Sequence, residues 1–234
     1  MSRYQEEPIP SIRIPDQEPE PQFLEEPLVP VPETERIRIR MMYPLLGMKH
    51  AEERCCLRRS VCQMLLKASE ALEEGYAFVI WDAWRPFDLQ KELFTAYSAD
   101  IIRDFHLENL PEKERIAFIS QFVADPVKNE KLPPAHTTGG AIDLTLEKDG
   151  RELDFGTAFD AFTEKTNTDW FELHDEDQEI RDHRRLLYHV MTEAGFTNLP
   201  SEWWHYEYGD RSWSRLTGRP ALYQGIWKIG EENR

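Results

Sequence analysis

The sequence has no apolar run long enough to cross a membrane, and its first residues contain neither the basic nor the apolar segment of a secretory signal. These absences predict a cytoplasmic protein. Positive charge is also scarce, since 28 Lys and Arg stand against 44 Asp and Glu, for a formal net charge of -16. Because that charge repels phosphate groups, neither nucleic acid nor an anionic membrane surface is an expected partner.

Cysteine is rare too. Cys55, Cys56 and Cys62 are the only ones, an odd number with no C-x-x-C spacing, which is typical neither of a disulfide framework nor of a cysteine-rich metal site. We expect buried thiols on or before a helix. A metal cluster that includes the nearby His50 is the alternative.

The first 35 residues differ in composition from the rest. They contain eight of the sixteen prolines and eight glutamates. Proline removes backbone donors and acidic charges repel one another, so neither helix nor sheet is expected there. Residues 1–35 are therefore predicted to be an extended arm, either loose or laid over a single main domain at residues 36–234. A ligand for a proline-binding domain is the alternative function for this arm.

Patterns of both helices and strands follow the arm. Alternating or dense apolar residues predict strands at 37–41, 76–81, 141–146 and 203–208, and helical periodicity predicts helices at 57–72, 88–105, 111–122 and 178–194. The elements do not alternate strictly as strand and helix. The predicted fold class is therefore α+β, with a central, mostly antiparallel sheet flanked by helices.

A histidine and an aspartate, His136 and Asp143, stand seven residues apart around a Gly-Gly pair. Because residues 137–140 are poor helix formers, we expect His136 on a loop and Asp143 on the strand that follows. Imidazole and carboxylate groups bind zinc, and a catalytic zinc takes three protein ligands. His205 is the best third candidate, and Glu202 offers a carboxylate that could act on the metal-bound water.

The spacing of Glu202 and His205 raises a geometric question, because residues three apart on a regular strand point to opposite faces. Pro200 and Ser201 indicate that the strand begins only after Glu202. Both side chains would then converge.

An arginine follows the buried strand at 76–81. Arg85 is fixed by the proline after it and is well placed to meet an anion. The alternative is that it simply pairs with Asp82 or Asp88.

Four segments in this order resemble the D-alanyl-D-alanine dipeptidases, the vancomycin-resistance type of zinc peptidase. They are Asp82-Ala83-Trp84-Arg85-Pro86, the run from His136 to Leu146, Gly156-Thr157-x-Phe159-Asp160 and Glu202-Trp203-Trp204-His205-Tyr206. The resemblance spans residues 37 to 210. It implies one zinc ion per chain, held by His136, Asp143 and His205.

The resemblance also implies roles for the neighbouring side chains. Glu202 would be the general base and acid, and Arg85 would stabilise charge on the attacked carbonyl oxygen. Asp160 would bind the free amino group of a dipeptide. Trp203 belongs first to the core and pocket wall, with stacking on the ligand as its second role.

The chain departs from the family in ways that concern the substrate. Where the dipeptidases commonly have serine two residues before the first zinc histidine, this sequence has Pro134, which offers no hydroxyl. Trp84 replaces a usual tyrosine. The family's Tyr-x-Thr-like entry segment is not evident, and Tyr43 is its candidate substitute.

The sequence thus predicts zinc-dependent hydrolysis of D-alanyl-D-alanine or a similar small dipeptide. A carboxypeptidase or endopeptidase acting on peptidoglycan stem peptides is one alternative. A non-catalytic, zinc-stabilised binding module is another, but zinc ligation alone needs neither Glu202 nor Arg85. The expected partner is the dipeptide, and a homodimer stays open. The remaining histidines are expected to be surface or hydrogen-bonded residues: His50, His106, His174, His183 and His189.

Overall fold

The computed structural model describes residues 3–120, 122–123, 126 and 133–228. In this part of the chain, no helix is both long and apolar enough to span a membrane. The strands are β1 Leu28–Pro30, β2 Ile37–Ile39, β3 Cys56–Arg58, β4 Tyr76–Asp82, β5 Ala141–Lys148, β6 Arg151–Glu152, β7 Thr197–Asn198 and β8 His205–Glu207. The α-helices are α1 Met42–Leu45, α2 Arg59–Glu70, α3 Phe87–Asp104, α4 Glu112–Ile119, α5 Trp170–Leu173, α6 Gln178–Glu193 and α7 Arg211–Thr217.

The main sheet has six strands in the order β2, β4, β5, β8 and β7, with β6 paired to β5. The β2–β4 pair is parallel and the other pairs are antiparallel. The predicted α+β class with a mostly antiparallel sheet is confirmed. Strand β4 is the most deeply placed, because its central residues Phe78, Val79 and Ile80 have no exposed surface. Its continuous apolar sequence is explained by burial on both faces.

Several predicted boundaries were wrong by two or three residues. The strand predicted at 37–41 ends at Ile39, and the helix predicted at 111–122 ends at Ile119. The predicted helix at 57–72 begins only at Arg59, because residues 56–58 form β3 and pair with β1 in a separate two-stranded sheet. The predicted strand at 203–208 begins only at His205. Helical periodicity cannot reveal that β3 has a pairing partner about 28 residues earlier in the chain.

The arm lies against the rest of the protein over much of its length. Tyr4 and Ile9 are buried, and the backbone N–H groups of Gln22 and Leu24 donate to the carbonyls of Ala221 and Leu222. The prediction that no sheet forms within residues 1–35 was wrong at Leu28–Pro30, which is strand β1. Proline is tolerated there because β1 pairs on one side only, with β3.

The three cysteines are free and buried, as predicted. The alternative of a metal cluster with His50 is not formed, since in the described residues the one group with metal-ligand geometry is His136, Asp143 and His205. The His50 ring instead contacts Glu92 at 2.9 Å on the surface.

A candidate zinc site

The Gly-Gly pair holds His136 at the edge of the sheet. His136–Thr138 form one turn of 3-10 helix, which ends at Gly139 with φ of 73° in the left-handed region. At Gly140, an added Cβ would lie 2.4 Å from the carbonyl oxygen of Tyr208. Both positions therefore require glycine, and the turn places the imidazole beside the start of β5.

Strand pairing brings in the other two ligand candidates. Asp143 of β5 lies opposite Asp82 of β4 on one side and opposite His205 of β8 on the other. Cross-strand neighbours in such a row have side chains close enough to touch. Residues far apart in the sequence are therefore adjacent across three strands.

The candidate ligand atoms are close to one another. The Nε2 atom of His136 lies 3.1 Å from Nδ1 of His205 and 3.3 Å from Oδ2 of Asp143, and Nδ1 of His205 lies 2.9 Å from Oδ1 of Asp143. Ligand atoms about 2.0–2.2 Å from a tetrahedral zinc lie about 3.3–3.6 Å from each other. The two imidazoles and the carboxylate thus fit zinc in both chemistry and spacing.

Hydrogen bonds from the far side of each ring fix its orientation. The Nδ1–H of His136 donates to the carbonyl oxygen of Ala83 at 2.8 Å, which leaves Nε2 facing the site. The Nε2 of His205 is 2.8 Å from Oε1 of the buried Glu207, which leaves Nδ1 facing the site. Such outer partners set the tautomer and the basicity of metal-binding histidines.

Asp143 keeps its negative charge. Burial by itself raises the pKa of this carboxyl, but the imidazoles of His136 and His205 outweigh burial and hold the pKa below its usual range. An anionic oxygen is therefore available to a cation.

Glu202 lies at the same site because residues 201–204 form a turn rather than a strand. Its Oε2 is 3.8 Å from Nδ1 of His205. The expectation that Glu202 and His205 converge before the strand begins is confirmed. Burial raises the pKa of Glu202 to about 8, which brings the carboxyl into the range where it can both take and give a proton near neutrality.

Arg85 pairs with Asp82 and still faces the site. Its Nε donates to Oδ2 of Asp82 at 2.9 Å, one terminal nitrogen donates to Gln90 at 2.7 Å, and the other lies 3.2 Å from the Tyr43 hydroxyl. The same nitrogen is 3.7 Å from Oδ2 of Asp143. Asp88, the other candidate partner, pairs with Lys91.

Asp160 lies on the wall of the same cavity. The hydroxyls of Tyr43 and Tyr97 donate to its Oδ2 at 3.0 and 2.7 Å. Burial raises the pKa of Asp160 to about 6. Its φ of 56° is in the left-handed region, where a non-glycine residue needs support from its surroundings.

Arg184 of α6 supports the segment that carries Asp160, a role that the sequence did not predict. Its guanidinium is buried and donates to the carbonyl oxygens of Phe155, Lys165 and Asn167 at 2.6 to 2.9 Å. These bonds hold both ends of the segment that carries Asp160. Nothing in the local sequence around Arg184 points to that role.

Three further side chains at the site were missed. Gln90 and Tyr97 lie on α3, seven residues apart and so on one face of the helix, and this spacing was the available signal. Glu207 carries no such signal, because the sequence does not distinguish a buried glutamate on a strand from an exposed one. The structure buries it behind His205.

A cavity of about 360 Å³ joins these groups. Its described walls include Arg85, His136, Asp143, Asp160 and Glu202. Pro134, where the family commonly has serine, also lines it.

The core position expected first for Trp203 is confirmed, because the side chain is 1% exposed. Trp203 is not on the described wall of this cavity, which argues against its second expected role of stacking on the ligand. Its ring stacks on Phe155 with centroids 4.2 Å apart, and its indole N–H donates to Thr157 at 2.7 Å. Trp203 is buried because the turn at 201–204 directs it into the core behind the sheet.

Two imidazoles and a carboxylate around one point, with an acid–base carboxyl and a guanidinium beside them, define a metal-dependent hydrolase site. Comparison with known proteins gives the family. The family model described as D-ala-D-ala dipeptidase matches residues 44–220. The chain belongs to this family, and it is a zinc metallopeptidase.

Curated relatives are similar over most of their length. A D-alanyl-D-alanine dipeptidase of Synechocystis is 29% identical over 68% of this chain and 71% of its own. Those of Escherichia coli and Enterococcus faecium are 31% and 30% identical, over 68% and 62% of this chain and 69% of each relative. A zinc-bound mutant of the vancomycin-resistance D,D-pentapeptidase VanY is 17% identical with a TM-score of 0.39, and covers 76% of this chain and 82% of its own.

Proposed function

We propose that this protein hydrolyses D-alanyl-D-alanine or a similar small dipeptide, with zinc held by His136, Asp143 and His205. The observation that carries the proposal is the meeting of these three ligand atoms, all within 4.8 Å of one another, with Glu202 at 3.8 Å from His205. The family match supports peptide hydrolysis, and the relatives named above act on D-alanyl-D-alanine.

Zinc, when bound, supplies a Lewis acid that lowers the pKa of a water and polarises the scissile carbonyl. Glu202 removes a proton from the attacking water and delivers it to the leaving amine. Burial raises its pKa to about 8, so the carboxyl can exchange a proton near neutrality.

Arg85 stabilises the negative charge that develops on the attacked oxygen. Its guanidinium stays protonated, and Asp82, Gln90 and Tyr43 hold it in place before the substrate arrives. Donors that are fixed in advance stabilise an oxyanion without reorganising during the reaction.

The carboxylate of Asp160 accepts hydrogen bonds from the free amino group of the substrate. Above pH 6 its carboxyl is ionised, and its two tyrosine donors orient it. A charged subsite for a free amine favours a dipeptide over an internal bond of a stem peptide, because the nitrogen at that position of a longer peptide is an uncharged amide.

A substrate panel tests the proposal. The zinc-loaded protein is assayed with D,D-, L,D- and L,L-dipeptides, with their N-acetylated forms and with longer stem peptides. We expect free D,D-dipeptides to be hydrolysed and N-acetylation to reduce kcat/KM strongly. Equal turnover of blocked and free peptides would remove Asp160 from the amine subsite, and turnover of stem peptides alone would make the protein a carboxypeptidase or endopeptidase.

A further inference from the structure

A second cavity, of about 700 Å³, adjoins the zinc site. Among the described residues, its aromatic walls are Phe105, Phe118, Phe122, Phe162 and Trp204. The rings of Phe105, Phe118 and Phe122 contact one another with centroids 5.1 to 5.6 Å apart. These rings form a continuous apolar surface and, because Phe105 is 37% exposed, part of that surface is open to solvent.

The two cavities meet at three residues. Asp160, Ser201 and Glu202 line both of them. The junction therefore lies between the carboxylate proposed to hold the substrate amine and the carboxyl proposed to transfer its protons.

Together with the proposed function, this junction indicates where one substrate atom would lie. In a dipeptide, the Cα of the N-terminal residue is bonded both to the amine and to the carbonyl carbon under attack. With the amine on Asp160 and the attacking water beside Glu202, that Cα would lie at the shared edge of the two cavities. If the leaving residue occupies the smaller cavity, whose walls include His136, the side chain of the N-terminal residue is directed toward the aromatic walls.

We propose that the aromatic cavity is the specificity subsite for the N-terminal side chain, and that the preferred substrates are dipeptides with a large apolar, above all aromatic, N-terminal residue. The inference rests on the proposed function and on Asp160 as the amine subsite. The methyl group of alanine leaves nearly all of the 700 Å³ unfilled. A phenyl group buries its apolar surface against the rings.

A dipeptide series tests the subsite. The zinc-loaded protein is assayed with D-Ala-D-Ala, D-Leu-D-Ala and D-Phe-D-Ala, and with D-Ala-D-Phe as a control for size at the other end. We expect kcat/KM for D-Phe-D-Ala to exceed that for D-Ala-D-Ala by about tenfold or more. D-Ala-D-Phe should show no such gain. Slower turnover of the larger N-terminal residues, with D-Ala-D-Ala still hydrolysed, would overturn the inference and leave the proposed function standing.

Two variants locate the effect. Ala161→Leu fills the cavity and Phe118→Ala removes one wall, so each should lower the ratio of kcat/KM for D-Phe-D-Ala over D-Ala-D-Ala several-fold. The ratio compares two substrates on one protein, so changes in folding or at Asp160 cancel. Phe87→Ala is the matched control, because Phe87 packs on Trp227 and does not line this cavity in the described residues. A ratio that falls equally in all three variants would contradict the assignment.

Binding gives a readout that does not need turnover. Calorimetry with the zinc-loaded Glu202→Gln variant should show tighter binding of D-Phe-D-Ala than of D-Ala-D-Ala. If N-acetyl-D-Phe-D-Ala is bound and hydrolysed as well as free D-Phe-D-Ala, the cavity would instead bind a residue that precedes the N-terminal one. That result would overturn this placement. If no dipeptide is bound or hydrolysed, the proposed function fails together with the inference.

Discussion

The Nε2 atom of His205 lies 2.8 Å from Oε1 of Glu207, and this contact turns Nδ1 of the same ring toward Asp143. Glu207 is buried, and its other oxygen has no partner in the described structure. Its strongest interaction is therefore with the imidazole. Glu207, which is not one of the three candidate ligands, therefore determines which nitrogen of His205 faces the zinc site.

Zinc affinity tests this relationship. Glu207→Ala should weaken zinc binding by about 10- to 100-fold, because His205 loses the acceptor that fixes its tautomer and orientation. Glu207→Gln keeps an acceptor without the charge and should recover part of the loss. Competition with a chromogenic chelator measures both. Glu152→Gln, a partly exposed carboxylate on β6, is the control, and equal affinities in all variants would rule out the positioning role.

The acid side of the profile of kcat/KM against pH should follow the protonation of Asp160. Because its pKa is about 6, the carboxyl takes up a proton as the pH falls through 6 and then no longer attracts the substrate amine. We expect kcat/KM to decline below about pH 6. Asp160→Asn should remove this limb and raise KM by about tenfold or more, as expected for losing a hydrogen bond to a charged group.

Substitution of Tyr97 tests the same assignment through the direction in which the pH profile shifts. Its hydroxyl donates to Asp160 and lowers the pKa of that carboxyl, against the larger effect of burial. Tyr97→Phe should therefore move the acid limb to higher pH. A shift to lower pH, or none, would mean that another group controls the limb.

Arg85 should affect the chemical step more than binding. Arg85→Lys keeps a charge but cannot contact Asp82, Gln90 and Tyr43 at once, so we expect kcat to fall by about 100- to 1,000-fold with a smaller change in KM. Steady-state kinetics and a thermal melt separate activity from stability. Arg38→Lys, on the exposed side of β2, is the control. A change confined to KM would assign Arg85 to substrate binding instead.

Glu202 should be dispensable for zinc but not for turnover. Glu202→Gln removes the proton acceptor and keeps the shape, so kcat should fall by about 100- to 10,000-fold while metal content stays the same. Metal analysis and kinetics on one preparation measure the two quantities. Glu70→Ala, an exposed carboxylate on α2, is the control, and substantial residual turnover of Glu202→Gln would give the base role to another group.

The arm should stabilise the turn that carries His136. Arg58 donates to the carbonyl oxygens of Glu26 in the arm and of Thr138 beside His136. A chain beginning at residue 36 loses Glu26 and β1, so we expect a lower unfolding temperature and weaker zinc binding. A chain beginning at residue 23 keeps both and should retain zinc affinity. Identical melting curves and zinc affinities for all three chains would show that the arm is dispensable.

Much of the site was predictable because its signals are local. The glycines after His136 are needed by a left-handed turn and a close backbone approach, and both requirements are written in the sequence. The alternation and density of apolar residues marked the buried strands for the same reason, since side-chain period follows backbone geometry. Two of the missed residues have no local signal, because Glu207 and Arg184 acquire their roles only from what packs against them.

The sequence by itself determined the α+β class, the buried strand at 76–81, the turn at His136 and the order of the four segments, because each depends on neighbours within a few residues. Only the tertiary structure decided that Asp82, Asp143 and His205 share one row across the sheet and that an aromatic cavity opens beside Asp160. Those relationships depend on strand register and on contacts between segments far apart in the chain, which no local pattern encodes.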